Sequence, residues 1–138
     1  MLSMEIRVKH LDKVKFAVTA RGHRVVCDQP PANGGDDSGM TPPEFLLASL
    51  GTCAAFYAAQ YLKNHGLPQD ALEVAVSAEK TSGPARLGSF RVHVHAPGLL
   101  PADEAGLLRS VNACLIKNTL MQPQAIETVL HTEALAAV

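Results

Sequence analysis

The stretch GMTPPEFLLASLGTC, Gly39 to Cys53, decides the fold of this chain. Thr41 can cap a helix, Pro42 falls at the first helical position where its missing N–H is harmless, and Glu44 stands three residues after the cap. The helix that starts here runs on to Lys63, Asn64 and His65, with Gly66 in the C-cap role. From Phe45 to Leu62 it is apolar on nearly every face, so it is enclosed either by protein or by lipid. Eighteen residues come near the minimum for a membrane span. Ser49, Gly51, Thr52, Cys53, Gln60 and many alanines interrupt that run, however, and amphipathic strands flank it, so a buried central helix is the better reading. One small domain encloses such a helix incompletely. A homodimer in which a second subunit covers the remaining face is therefore expected from burial.

Upstream of this helix, Val14, Phe16 and Val18 alternate with Lys15, Ala17 and Thr19, the period of a half-buried strand. A weaker strand is expected at Met4 to Lys9, with His10 to Lys13 as its turn. Arg21-Gly22-His23 reads as a second turn into a strand at Arg24 to Cys27. Residues 28–40, DQPPANGGDDSGM, form a long loop on composition, of the kind that more often serves a site than mere connection, with disorder as the alternative. Downstream, Leu72, Val74, Val76 and Ala78 alternate with polar or small residues, as do Phe90, Val92 and Val94, and a turn region at Lys80 to Gly88 joins them into a hairpin. Pro101 starts a second helix whose inner face carries Leu107, Leu108, Val111, Cys114 and Leu115. A last strand is expected at about 125–132. The order β-β-β-α-β-β-α-β over a single domain, residues 1–138, is α+β and mostly antiparallel.

At 138 residues, 47% hydrophobic and 18% charged, the chain can form one folded core. Twelve basic residues against thirteen acidic ones give a net charge of −1, which argues against a phosphate-binding surface. With no Trp, four Phe and two Tyr, a base-stacking platform is also disfavoured, and no nucleic-acid partner is expected. The N-terminus shows no signal-peptide pattern, and the three widely spaced cysteines, Cys27, Cys53 and Cys114, do not make a disulfide scaffold. A reducing, cytoplasmic compartment is expected.

Cys53 lies in the middle of the first helix and Cys114 on the inner stripe of the second, so both face the helix–helix contact. Each alone reads as a small core hydrophobe. As a pair on two packed helices they could meet, and a pair 61 residues apart has neither metal-ligand nor C-x-x-C spacing. Such a pair suits peroxide chemistry: a thiolate attacks the O–O bond, and the second cysteine condenses with the resulting sulfenic acid. That chemistry needs a lowered thiol pKa and so a nearby cation. Cys27, at a strand end, has no assigned task.

GMTPPEFLLASLGTC, followed at a distance by ACLIKNTL in the second helix, resembles the osmotically inducible protein C / organic hydroperoxide resistance (OsmC-like) family over nearly the whole chain. The resemblance implies an intertwined homodimer with two active sites at the interface. It also implies a thiol peroxidase for organic hydroperoxides, with no bound cofactor and an external dithiol reductant, often lipoyl-linked. By position, Cys53 would be peroxidatic, Cys114 resolving, Glu44 the family's glutamate at the helix start and Arg21 its arginine, with Arg24 the runner-up. Cys53 comes nine positions after Glu44, where the peroxidase branches usually have ten; this spacing is closer to the broad OsmC-like branch. Nine residues are about 13 Å of rise and 900° of turn, so the two side chains face opposite sides of the helix. Glu44 could then serve Cys53 only across a dimer interface, and its capping role is equally expected. The alternative function is a small-molecule binding or thiol-sensing dimer without efficient turnover; a third is cysteines that only pack the core. His93 and His95 read as solvated surface for want of a third ligand, and His65 as a partner of the helix C-terminus. His23 stands near Arg21, and no nucleotide or serine-hydrolase motif is present.

Overall fold

The structure, a computed structural model, describes residues 4–137. A three-stranded antiparallel sheet, β1 (Arg7–Asp12), β2 (Lys15–Ala20) and β3 (His23–Cys27), comes first. The long helix α1 (Pro42–Asn64) follows, then the antiparallel hairpin β4 (Glu73–Thr81) and β5 (Arg86–His95). Two short helices, α2 (Glu104–Asn112) and α3 (Leu115–Met121), complete the order. The class is α+β, as the patterning indicates, but the strands form two separate sheets.

The β2–β3 connection is a two-residue turn with Arg21 at φ 50° and Gly22 at φ 84°, the left-handed pair that matches the twist of a hairpin. β1 starts and ends three residues later than the alternation suggests, and its turn is Lys13-Val14, with Lys13 at φ 48°. Val14 therefore leaves the strand.

Register explains a second difference. Val8, Val18 and Val25 stand side by side, as do His10, Phe16 and Cys27, on the face assigned to the core. Val8 and Val25 are nevertheless exposed, and Phe16 and Val18 only half-buried. The buried residue is Ala17, on the opposite face, where Ala134 to Ala137 lie over Arg7, Lys9 and Arg24 and the Arg7 guanidinium donates to the Ala136 carbonyl. The physical reason is that α1 packs on β4, β5, α2 and α3, leaving the apolar face of the three-stranded sheet uncovered within one protomer.

Helix α1 starts as its sequence dictates. Thr41 is extended at φ −80°, and the Glu44 carboxylate accepts from both the Thr41 N–H (2.9 Å) and the Thr41 hydroxyl (2.8 Å). It ends at Asn64, with Gly66 left-handed at φ 65°. Complete enclosure is not observed. One stripe is buried, Leu50, Gly51, Ala54, Ala58 and Leu62, while Phe56 remains 56% exposed. By length and composition the helix could cross a membrane, yet the buried stripe sits on a protein core: Ala54 and Ala58 cluster with Leu107 and Val111.

The second helix is broken. After the 3-10 turn Pro101–Asp103, α2 stops at Asn112, and Cys114, at φ −58° and ψ 127°, caps a new helix. Leu107, Val111 and Cys114 are buried as expected, but Leu108 and Leu115 are more than half exposed. A continuous apolar stripe would next place Asn118 in the core, and breaking the helix avoids that cost. The expected last strand is absent as well: residues 122–137 are irregular and exposed, and none of them joins a ladder of either sheet.

Residues 28–40 fold around one buried carboxylate. Asp28 accepts from Gln29 N–H (2.8 Å), Asp36 N–H (3.1 Å), Ser38 N–H (3.0 Å) and the Ser38 hydroxyl (2.7 Å). The Ser38 hydroxyl and N–H, then the Gln29 and Asp36 N–H groups, outweigh burial and hold this carboxyl well below the usual range. Asp36 in turn pairs with Lys13 (2.8 Å) and Lys15 (3.4 Å), fastening the loop to the first hairpin.

Candidate active site

Cys53 and Cys114 meet. The small residues Ala54 and Ala58 let α1 approach α2 closely, and the break after Asn112 turns Cys114 inward, where it is 1% exposed. Both are free thiols. The Cys114 thiol and the Ile116 and Leu115 N–H groups at the start of α3 lie close enough to the Cys53 sulfur to favour its thiolate. The third N–H of that turn, from Lys117, reaches the Cys114 sulfur at 3.5 Å.

These contacts give the two thiols opposite characters. Burial pushes the Cys53 thiol up, but the donors from Cys114, Ile116 and Leu115 together outweigh it, and its pKa falls below the ordinary value. Burial pushes the Cys114 thiol up, and its bond to Cys53 raises it further. Cys53 is thus the better thiolate, and Cys114 holds its proton more tightly. Cys27 is apart from them, paired by a lone bridge to Met40, and burial followed by the Asp28 charge raises its thiol.

Beside Cys114 lies a cavity of about 220 Å³ lined by Leu50, Ala54, Phe90, Val92, Val111 and Lys117 among others. An outer groove of about 500 Å³ continues from it along Leu46, Leu87, Leu120 and Met121, sharing Leu50, Phe90, Val92 and Lys117. The outer groove is apolar apart from Arg86 and Lys117, whereas the inner cavity mixes apolar walls with Asn112, Cys114 and Lys117.

The other candidate residues are not assembled here. Arg21 sits exposed on the β2–β3 turn and Arg24 on β3, in a sheet that α1 does not pack against, and no cation among the described residues acts on the Cys53 sulfur. Glu44 is occupied by the Thr41 cap, which lowers its pKa through the Thr41 N–H and hydroxyl. His93 and His95 are exposed on the outer face of β5, opposite Ala75 and Glu73. Sequence reasoning missed the backbone donors at Leu115 and Ile116, which replace the expected cation within the protomer. Asn118 on the apolar stripe was the signal that could have disclosed the helix start behind them.

A model of the family described as OsmC-like protein matches residues 35–129, from the Asp28 loop through both cysteine segments. The chain belongs to the OsmC-like protein family. Solved structures share its fold. A protein of Psychrobacter arcticus 273-4, named for osmotic stress induction and detoxification response, aligns with TM-score 0.76 at 13% identity, over 86% of this chain and 90% of that one. An OsmC-like protein from Mycoplasma pneumoniae aligns with TM-score 0.71 at 16% identity, over 87% and 88%. The organic hydroperoxide resistance protein OsmC from Legionella pneumophila aligns with TM-score 0.64 at 17% identity, over 87% and 90%. No curated protein matches the chain by sequence.

Proposed function

We propose that this protein is a cysteine-based peroxidase that reduces organic hydroperoxides in a reducing, cytoplasmic compartment as part of oxidative-stress defence. One observation carries the reading: the break between α2 and α3 turns the buried Cys114 inward toward Cys53, and Cys114 with the Leu115 and Ile116 N–H groups favours the Cys53 thiolate. The Cys53 thiolate attacks the terminal oxygen of ROOH, the O–O bond breaks, ROH leaves after protonation, and Cys53 becomes a sulfenic acid. The Cys114 thiolate then attacks that sulfur, forming the disulfide and expelling hydroxide, which is protonated to water. An external dithiol, with a lipoyl-linked one the first candidate, reduces the disulfide by exchange. The apolar outer groove, which continues from the cavity beside Cys114, favours a peroxide with an organic substituent.

The same reading makes the protein a homodimer. The uncovered faces of α1 and of the three-stranded sheet are apolar, Phe56, Val8 and Val25 being at least half exposed, and a second copy would cover both. Arg21 and Glu44 then take part in the reaction only across that interface, as groups that orient the peroxide. A second reading is supported by the same cavity: a small-molecule binding or thiol-sensing dimer whose cysteines react once per signal.

Cumene hydroperoxide added to the reduced protein is expected to consume the Cys53 and Cys114 thiols stoichiometrically, with sustained turnover once a dihydrolipoyl donor is present. Thiol loss without turnover would select the sensing reading. Unchanged peroxide consumption by Cys53→Ser would overturn the peroxidase mechanism.

A further inference from the structure

The turn bearing Cys114 is weakly held by packing. Helix α3 contributes no buried residue, and Leu115, Leu120 and Met121 are 59%, 42% and 69% exposed. Yet this turn carries the Leu115 and Ile116 N–H groups that favour the Cys53 thiolate, and its Lys117 N–H donates to the Cys114 sulfur at 3.5 Å. Across the break, the Lys117 ammonium donates to the Asn112 side-chain carbonyl at 2.7 Å. Asn112 is the last residue of α2 and Lys117 lies in the first turn of α3, so this bond ties the two helix ends together around Cys114. It is the one side-chain hydrogen bond between α2 and α3 among the described residues. Lys117 also stands where the inner cavity meets the outer groove.

We propose that Asn112 and Lys117 form a clasp across the α2–α3 break that positions the Cys114 thiol, and the N–H groups after it, against Cys53. The inference rests on the peroxidase reading for its consequence in turnover. While the clasp is closed, Cys114 is placed to attack sulfenic Cys53, so S–S bond formation outruns a second oxidation by hydroperoxide to the sulfinic acid. Lys117 is a positioning residue; it acts through the turn and not on the peroxide.

The test compares Asn112→Ala and Lys117→Met, which open the clasp, with Asn112→Asp, which keeps an acceptor for the lysine. Reduced proteins are alkylated with iodoacetamide across pH, and in parallel treated with excess cumene hydroperoxide and weighed by mass spectrometry. In both opened variants the Cys53 alkylation profile is expected to move to higher pH. The sulfinic-to-disulfide ratio should rise about threefold, the factor that one modest hydrogen bond supports. Asn112→Asp should match the wild type in both. A loss of stability alone would move neither readout in the folded protein. Wild-type profile and ratio in both opened variants, or no rescue by Asn112→Asp, would overturn the clasp. A shifted profile with an unchanged ratio would overturn its role in placing Cys114. Should the wild type itself form no disulfide, the peroxidase reading fails, while the alkylation profile still decides whether the clasp acts on Cys53.

Discussion

Gly106, in the first turns of α2, faces the ring of Tyr61 on α1. A Cβ built there would lie 2.5 Å from the Tyr61 hydroxyl oxygen and 2.8 and 2.9 Å from two ring carbons, closer than carbon atoms approach. The ring has little freedom to yield. Its hydroxyl donates to the Asp103 carboxylate at 2.8 Å, and its face stacks on His65 at 3.9 Å. Gly106→Ala therefore sets two effects against each other. Replacing a helical glycine stabilises by about 0.5–1 kcal/mol. Forcing an extra carbon into a filled contact costs about 1–3 kcal/mol, with the upper part of the range applying to a ring pinned at both ends. The net expectation is a destabilisation of about 1–2 kcal/mol, read as a lower urea midpoint with unchanged slope. Because the displaced ring lies between α1 and α2, the spacing that brings Cys53 to Cys114 should loosen too, and disulfide yield after hydroperoxide should fall. In a Tyr61→Phe background, which lacks the nearest atom, the penalty should be smaller. Gly106→Ala at or above wild-type stability would refute the reasoning, and an equal penalty in both backgrounds would locate the strain elsewhere.

Three further outcomes are expected. Asp28 has a native pKa held below its ordinary value of 3.8, so its stabilisation is present above that value and is lost as pH falls through it toward the native one. Urea midpoints should drop between about pH 5 and pH 2, while Asp28→Asn should be less stable at pH 7 and lose less on acidification. Iodoacetamide should label Cys53 before Cys27 or Cys114, with a midpoint below the ordinary 9.0, because Cys53 alone has its thiolate favoured; first labelling at either other thiol would contradict the assignment. Light scattering should find a dimer that Phe56→Asp converts to a monomer, Phe56 being 56% exposed on the open side of α1; a monomeric wild type would overturn the subunit reading.

Residues whose structure depends on local chemistry were legible from the sequence. The Thr41–Glu44 capping box, the Gly66 terminus, the Arg21-Gly22 turn and the β4–β5 hairpin all follow from side chains acting within a few residues. The burial of Cys114 was legible from the apolar period, although the residue proves to cap α3 at a break and does not lie within a helix. Features decided by competition between surfaces were not. Phe16 and Val18 alternate like core residues, but α1 gives its buried stripe to the β4–β5 hairpin and the short helices. The strand expected at about 125–132 does not form, and Ile126 is 91% exposed. At Cys114 the period of the apolar stripe alone could not reveal a break, because a continuous helix places Leu107, Val111 and Cys114 on the same side. The cost of burying Asn118 decides between them.

The alanine stripe of α1 has a consequence for how this protein can vary. Ala54 and Ala58 are wholly enclosed against Leu107 and Val111, so they act as a spacer of minimal thickness between the two cysteine-bearing segments. A disulfide tolerates Cα separations of only about 4.4–6.8 Å. A bulkier side chain at either position would push the segments apart by a sizeable part of that window. Hydrophobicity and helix propensity would both survive such a change, and the fold could adapt around it, while the thiols lost reach of one another. On the proposed mechanism, disulfide formation would therefore be sensitive to small increases in volume at Ala54 or Ala58, with every residue near the sulfurs still in place.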